Sequence, residues 1–176
     1  MNETATLRIR PAVEDDVPLV LTFIRELAEY ERLRHEAVAT EELIRQALFG
    51  PRRYAEVIFA ELDGQPVGFA LFFHNFSTFV GRPGLYLEDL YVRPEFRGRG
   101  IGRRLLVHLA AIAKERGCGR MEWSVLDWNE PAIRFYRSLG ARPMDEWTVF
   151  RLTEPEIAAL AAEADARAAP AADAGA

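Results

Sequence analysis

Apolar residues return every three or four positions in four stretches of the chain, and this period is typical of helices that bury one face. The first stretch follows the acidic residues 14–16, and the second begins at Thr40, whose side chain is suited to capping a helix. Gly117 and Gly140 are placed to close the last two. The sequence therefore predicts helices that end near Tyr30, Phe49, Arg116 and Leu139.

Other stretches alternate between apolar and polar residues or form short apolar runs, as strands do. Asp63-Gly64, between two of these runs, favours the positive φ angles of a tight hairpin turn and therefore antiparallel pairing. The predicted strands are Ala5–Arg10, Tyr54–Leu62, Pro66–Phe76, Leu85–Val92, Met121–Val125 and Trp147–Leu152. The elements follow the order β-α-α-β-β-β-α-β-α-β, which predicts a mixed α/β fold.

Length and composition predict one domain. The 176 residues are 49% hydrophobic, which suffices for one substantial core but not for two ordinary domains. We assign this domain to residues 1–160 and interpret the alanine-rich residues 161–176 as a frayed helix or a disordered tail. A single cysteine, no apolar leader segment and no apolar run of membrane length predict a cytoplasmic protein without a membrane partner.

The charges argue against a nucleic-acid partner. The chain has 22 basic and 27 acidic residues, and its net charge of −5 would repel a phosphate backbone. Five arginines nevertheless cluster within twelve positions, at 93, 97, 99, 103 and 104. This patch is too small for a duplex but suits one polyphosphate, although a solvated arginine face explains the charges alone equally well.

A glycine-rich turn inside the arginine cluster joins a predicted strand to a predicted helix. The first N–H groups of a helix lack intrahelical partners, and glycines at 98, 100 and 102 leave them open to an anion such as pyrophosphate. The glycine spacing differs from that of dinucleotide-binding loops, and the Gly-Lys-Ser/Thr sequence of nucleoside-triphosphate loops is missing. A turn that merely requires glycine is the remaining alternative, but it does not explain the arginines.

Residues 92–102, Val-Arg-Pro-Glu-Phe-Arg-Gly-Arg-Gly-Ile-Gly, resemble the acyl-CoA signature of the GNAT N-acetyltransferase family. Segments 27–31, 85–92, 127–136 and 140–141 resemble its branch of diamine (spermidine/spermine) and thialysine acetyltransferases. The resemblance implies a mixed, mostly antiparallel sheet that is splayed at its central strands and flanked by helices. It also implies acetyl-CoA as cofactor, a small cationic amine (polyamine, diamine or lysine analogue) as substrate, and a homodimer.

The same resemblance gives roles to individual residues. Tyr136 would be the general acid for the departing thiolate, and Glu88 would bind the amine and could relay its proton through water. The implied cofactor-binding residues are Leu90, Tyr91, Val92, Arg97, Gly98, Arg99, Gly100, Ile101, Gly102, Arg103, Asn129, Pro131 and Ala132. The implied substrate-binding residues are Tyr30, Glu31, Glu88, Asp89 and Glu146.

Glu88 and Asp89 are neighbours on a predicted strand, so their side chains should point to opposite faces of the sheet. Only one of them can then point directly into a shared site. Either Asp145 or Glu146 would contact the amine. The resemblance does not decide between them, because the segment after Gly140 is shorter here than in the diamine branch. An ordinary core tyrosine at Tyr136 is the structural alternative to its catalytic role.

Two further alternatives concern the function as a whole. The acetylated amine could belong to a protein or peptide, or the chain could be a CoA-binding module without turnover. No metal is expected, because the histidines lack metal-ligand spacing and one cysteine cannot build a zinc site.

Overall fold

The computed structural model describes residues 6–168. The chain forms two compact units, of which the first ends at Leu126 and the second begins at Asp127. The first unit contains β1 (Leu7–Pro11), α1 (Val17–Tyr30), α2 (Glu41–Phe49), β2 (Glu56–Leu62), β3 (Gln65–Ser77), β4 (Arg82–Val92), α3 (Ile101–Glu115) and β5 (Arg120–Trp123). The second unit contains α4 (Glu130–Ser138) and α5 (Glu154–Ala168).

The five strands form one mixed sheet in the order β1-β2-β3-β4-β5, which confirms the predicted α/β fold. The first four strands are antiparallel, and β5 pairs with β4 in parallel. The turn at Asp63-Gly64 joins β2 to β3 with φ angles of 50° and 80°, as the sequence predicts.

β4 and β5 pair only from Gly84 to Leu87 of β4, whereas β3 stays paired with β4 as far as Val92. The hydroxyl groups of Tyr86 and Ser124 lie 2.9 Å apart near the end of the parallel pairing. Beyond it, the β5-facing edge of β4 pairs with no strand among residues 6–168. The sheet is therefore splayed between β4 and its edge strand β5.

Helices cover both faces of this sheet. α1 and α2 bury a cluster that includes Phe23, Leu48, Phe59, Phe69 and Tyr91. Along β2 and β3 the residues between these, such as Ile58 and Ala70, are also buried and therefore point to the opposite face. α3 contacts all five strands and buries Ile101, Leu105 and Leu109.

The predicted strand Trp147–Leu152 is wrong. These residues form no strand in the structure, and Trp147, Val149, Phe150 and Leu152 are exposed. Their composition suits a strand, but aromatic and β-branched residues form one only where a neighbouring strand supplies hydrogen bonds and packing. No ladder within residues 6–168 includes them.

α5 follows this segment, and the sequence patterns did not anticipate it. It crosses residue 160, where the predicted domain ends, so the first part of the alanine-rich stretch is helical. Ala5 and residues 169–176, on which parts of the predictions fall, lie outside the described residues. No helix of the described part is long and apolar enough to span a bilayer.

Candidate active site

After β4 the chain forms a short helical turn at residues 94–96. The glycine-rich turn follows and leads into the first turn of α3. Gly98 and Gly100 have φ angles of 75° and 76°, a left-handed conformation that favours glycine. Gly100 is also the N-cap of α3. Gly102 differs, because a Cβ atom there would meet only Val92 Cγ2, at 3.9 Å. The space in front of this helix start is therefore open to a ligand.

The arginine cluster divides into two groups, and the guanidinium groups of the first contact other elements of the protein, although Arg97 is exposed. Arg93 forms an ion pair with Glu26 of α1, with 2.8 Å between Nη2 and Oε1, and its guanidinium lies 4.7 Å from the Phe23 ring centroid. Arg97 donates from Nε to the Val92 carbonyl oxygen over 2.9 Å. These two arginines connect the glycine-rich turn to α1 and to the end of β4.

The second group faces solvent. Arg99, Arg103 and Arg104 are exposed and line an open pocket of about 570 Å³ beside Gly100. Their positive charge adds to that of the helix N-terminus. This side of the turn, rather than the whole cluster, has the character of an anion site.

Leu90, Tyr91 and Val92 lie on the part of β4 that β5 does not pair with. On its other edge β4 is close to β3, since a Cβ atom on Gly68 would come within 2.8 Å of the Tyr91 carbonyl oxygen. The backbone of β4 is thus held on one edge, whereas the other edge has no strand partner among residues 6–168 and can form hydrogen bonds to an extended ligand.

A β-bulge in β4 changes which face Asp89 occupies. Asp89 pairs with Leu71 of β3, but the next pair joins Phe72 to Leu87, so Glu88 is an extra residue without a partner. Directly paired residues of antiparallel strands share a face, and consecutive residues of β3 alternate. Leu87 and Asp89 therefore lie on opposite faces. Asp89 shares the face of Leu71, which packs against the α1 side of the core.

This placement brings Asp89 close to a second carboxyl group, that of Glu31. Burial, followed by the negative charges of Glu88 and Glu31, raises the pKa of Asp89 to about 7. Burial also raises the pKa of Glu31. Glu88 itself is exposed, so the inward-facing member of the Glu88-Asp89 pair is Asp89.

The end of α1 fixes the position of Glu31. Glu31 is the C-cap residue, and its backbone N–H donates to the Leu27 carbonyl oxygen over 2.9 Å. Arg32 follows with a φ angle of 63°, so the chain turns sharply after Glu31. Tyr30 precedes it and contacts Arg97, whose guanidinium carbon lies 4.3 Å from the Tyr30 ring centroid. Three implied amine-binding residues, Tyr30, Glu31 and Asp89, are thus brought together.

The second unit carries the remaining predicted residues. Asn129 is buried and caps α4, because its Oδ1 accepts from the Ala132 backbone N–H over 3.3 Å. Tyr136 is partly buried in α4, with its ring centroid 5.5 Å from that of Phe135. Pro131 lies in the first turn of the same helix, whereas Asp145 and Glu146 are exposed in a turn beyond it.

The first unit therefore combines three features: a helix start open to an anion, an unpaired strand edge and a group of carboxylates. Carboxylates attract a cationic amine, and a carboxyl group with a pKa of about 7 is able to exchange protons near neutrality. Among residues 6–168, no group of three or more histidine, cysteine, aspartate or glutamate side chains is arranged to hold a metal ion. The sequence analysis did not predict the bulge, because no residue pattern in β4 indicates one.

Comparison with known proteins gives consistent similarities. The model of a family described as the acetyltransferase (GNAT) family matches residues 21–141. A thialysine N-epsilon-acetyltransferase from Sus scrofa is 39% identical over 168 residues, which cover 89% of this chain and 98% of that protein. An L-ornithine N5-acetyltransferase from Arabidopsis thaliana is 32% identical over 198 residues, with 87% of each chain covered.

Solved structures include a similar fold. An integron cassette protein from the mobile metagenome of V. cholerae superposes with a TM-score of 0.73 and is 31% identical. The match covers 88% of this chain and 97% of that protein.

Proposed function

The chain is an acetyltransferase of the GNAT family, and we propose that it transfers the acetyl group of acetyl-CoA to a primary amine of a small cationic molecule by direct attack. The observation that carries the proposal is the proximity of the Glu31 carboxyl group to that of Asp89, which lies on the part of β4 that β5 does not pair with. The thialysine and ornithine enzymes among its relatives support a substrate that bears a second charged group.

Acetyl-CoA supplies an activated thioester, and the first unit offers groups that suit its pyrophosphate and its pantetheine. The backbone of residues 98–102 and the side chains of Arg99 and Arg103 would hold the pyrophosphate. The backbone of Leu90, Tyr91 and Val92 would hold the pantetheine by strand-like hydrogen bonds. The open helix start at Gly102 fits such a group, because outside the adjoining residues and helix backbone a Cβ atom built there would meet only Val92 Cγ2, at 3.9 Å.

The amine would enter on the side of the carboxylates. Glu31, Asp89 and Glu88 would attract it, and Tyr30 would pack against its carbon chain, with Glu146 or Asp145 as a further contact. Glu88, which is exposed, would relay a proton from the ammonium ion through water, so that a neutral amine attacks the thioester carbonyl. A new nitrogen–carbon bond to the acetyl group would replace the carbon–sulfur bond, and the nitrogen would release its remaining extra proton to the surroundings.

Tyr136 is the proposed donor of a proton to the departing thiolate. A phenol of pKa about 10 is suited to protonate a thiolate of pKa about 8.5. Asn129, Pro131 and Ala132, at the start of the same helix, are the proposed contacts to the cofactor. The helix cap formed by Asn129 gives this helix start a defined geometry.

Two measurements test the proposal. Calorimetry with acetyl-CoA tests cofactor binding, and a thiol-release assay over thialysine, ornithine, spermidine and a peptide lysine tests the substrate class. We expect micromolar acetyl-CoA binding and turnover of at least one small amine in preference to the peptide. Binding without turnover would favour the CoA-binding module, and preference for the peptide would favour a protein acetyltransferase.

We also propose a homodimer, because the diamine branch that the chain resembles forms one. Sedimentation at micromolar concentration should then give twice the mass of the chain. A monomer under these conditions would contradict the proposal.

A further inference from the structure

We propose that Arg97 is a positioning residue for the amine, which acts through Tyr30, and not a ligand of the cofactor pyrophosphate. This inference rests on the proposed function and changes the role of one residue of its glycine-rich motif. Arg97 would hold the end of α1 at a fixed place beside β4, and so set the geometry of the carboxylates that receive the amine.

The contacts of Arg97 lead away from the helix start. Its guanidinium carbon lies 4.3 Å from the ring centroid of Tyr30 and 5.5 Å from that of Tyr91. Both distances are within the range of cation–π contacts. Its Nε donates to the carbonyl oxygen of Val92, the last residue of β4, over 2.9 Å. One rigid, planar group thus contacts the end of α1, a side chain of β4 and the backbone end of β4.

The sheet side of this arrangement is fixed in the core. Tyr91 is 6% exposed, and its ring centroid lies 6.3 Å from that of Phe23 in α1. The Tyr30 and Tyr91 centroids lie 6.4 Å apart. Tyr30 is only partly buried and packs against the edge of the same core cluster, so the guanidinium over its ring is one of the contacts that hold it.

A change in the position of Tyr30 would affect the amine site, because the next residue, Glu31, belongs to that site. Glu31 follows Tyr30 directly, and its charge acts on the carboxyl group of Asp89. A shift of Tyr30 would move Glu31 relative to Asp89 and change the spacing of the two groups that attract the amine. Loss of the Arg97 guanidinium should therefore weaken amine binding more than cofactor binding.

Arg99 provides the contrast within the same turn. Its side chain lines the open pocket together with Arg103 and Arg104. Its guanidinium carbon lies 5.4 Å from the ring of Phe96, within the turn itself, and not over α1. Arg99 is therefore the matched residue for an anion-binding role.

The test compares Arg97→Gln, Arg97→Lys and Arg99→Gln with the wild type. Calorimetry gives the dissociation constant of acetyl-CoA at two salt concentrations, and steady-state assays give kcat and KM for the amine of the panel that the wild type acetylates. For both Arg97 variants we expect acetyl-CoA affinity within about twofold of the wild type and a KM for the amine about tenfold higher. For Arg99→Gln we expect the reverse, weaker acetyl-CoA binding with a smaller salt dependence and an unchanged amine KM.

A double-mutant cycle tests the route through Tyr30. Tyr30→Leu removes the ring, and combining it with Arg97→Gln should raise the amine KM little beyond either single change. Additive effects would overturn the inference, as would a loss of acetyl-CoA affinity in Arg97→Gln equal to that in Arg99→Gln. A lower Tm with an unchanged amine KM would reduce Arg97 to a structural residue.

These outcomes differ from failure of the proposed function. A wild type that acetylates no amine overturns both the proposed function and the amine role of Arg97. A wild type that acetylates an amine, with Arg97 variants that keep its KM, overturns the inference alone.

Discussion

Glu31 at the end of α1 and Asp89 in β4 lie close enough for the charge of one to act on the other, although they belong to different elements. The negative charge of Glu31 helps to raise the pKa of Asp89 to about 7, after the larger effect of burial. A carboxyl group so far from its ordinary pKa of 3.8 has consequences for stability as well as for chemistry.

Asp89→Asn should stabilise the protein, and more so at high pH. The folded state binds the Asp89 proton more tightly than the unfolded state does, so ionised Asp89 costs stability as the pH rises from about 4 through 7. Asparagine does not titrate. The gain in unfolding free energy, measured by urea denaturation, should be about 2 to 3 kcal/mol larger at pH 8 than at pH 5. A gain that is equal at both values would contradict the raised pKa.

Glu88→Gln should lower the pKa of Asp89. Removing the charge of Glu88 removes the second of the three causes that raise this pKa, while burial and Glu31 remain. NMR titration of the labelled Asp89 carboxyl carbon would measure the shift. A pKa that stays at about 7 would show that the Glu88 charge does not reach Asp89, and Glu95→Gln, on the turn beyond β4, serves as the control.

Gly102→Ala should weaken acetyl-CoA binding without harming the fold. Gly102 lies in the first turn of α3, and a Cβ atom there makes only an ordinary contact, so alanine should leave stability unchanged or raise it by about 0.5 to 1 kcal/mol. An anion at the helix start would meet the new methyl group and lose charge-assisted hydrogen bonds of about 1.5 to 3 kcal/mol each. Calorimetry should show at least a tenfold loss of affinity, and full affinity would mean that the pyrophosphate lies elsewhere.

Gly100→Glu should abolish acetyl-CoA binding, but this variant needs a check on folding. Gly100 has a left-handed φ angle, which costs other residues about 1 to 2 kcal/mol. The glutamate adds bulk and a charge of the same sign as the phosphate. A melting curve should therefore accompany the binding measurement. Normal affinity in a folded Gly100→Glu protein would argue against the proposed cradle.

Tyr136→Phe should lower kcat and leave acetyl-CoA affinity unchanged. The ring and its packing against Phe135 remain, so only the hydroxyl group is lost. General acids contribute about a hundredfold to ten-thousandfold, and we expect the lower end because a CoA thiolate leaves readily. The defect should shrink as the pH rises past the thiol pKa. A pH–rate profile equal to that of the wild type would make Tyr136 a core residue.

The fold could be predicted largely from local patterns in the sequence. Helix periods, the Asp63-Gly64 turn and the glycine-rich signature each act over a few residues, and the comparisons confirm the family to which the signature points. The segment 147–152 could not be predicted, because its composition favours a strand but the outcome depends on a partner elsewhere in the fold.

The candidate site was predictable in its residue types and less so in its geometry. The alternation rule treats β4 as regular, whereas the extra residue at Glu88 turns Asp89 to the face opposite that of Leu87. Such a bulge depends on how β3 pairs with β4, and the residues of β4 alone do not encode that register. Likewise, five clustered arginines suggested one anion site, but Arg93 and Arg97 are engaged with α1 and β4.

The parting of β4 and β5 after Leu87 leaves an open strand edge, and open edges invite pairing with other polypeptides. An extended ligand that forms hydrogen bonds along this edge would occupy its free N–H and C=O groups and so hinder pairing with another polypeptide. A ligand at a hundred times its dissociation constant adds about 2.7 kcal/mol to the stability of the state that binds it. If acetyl-CoA is that ligand, as proposed, its concentration would affect the stability of the protein as well as its rate of turnover.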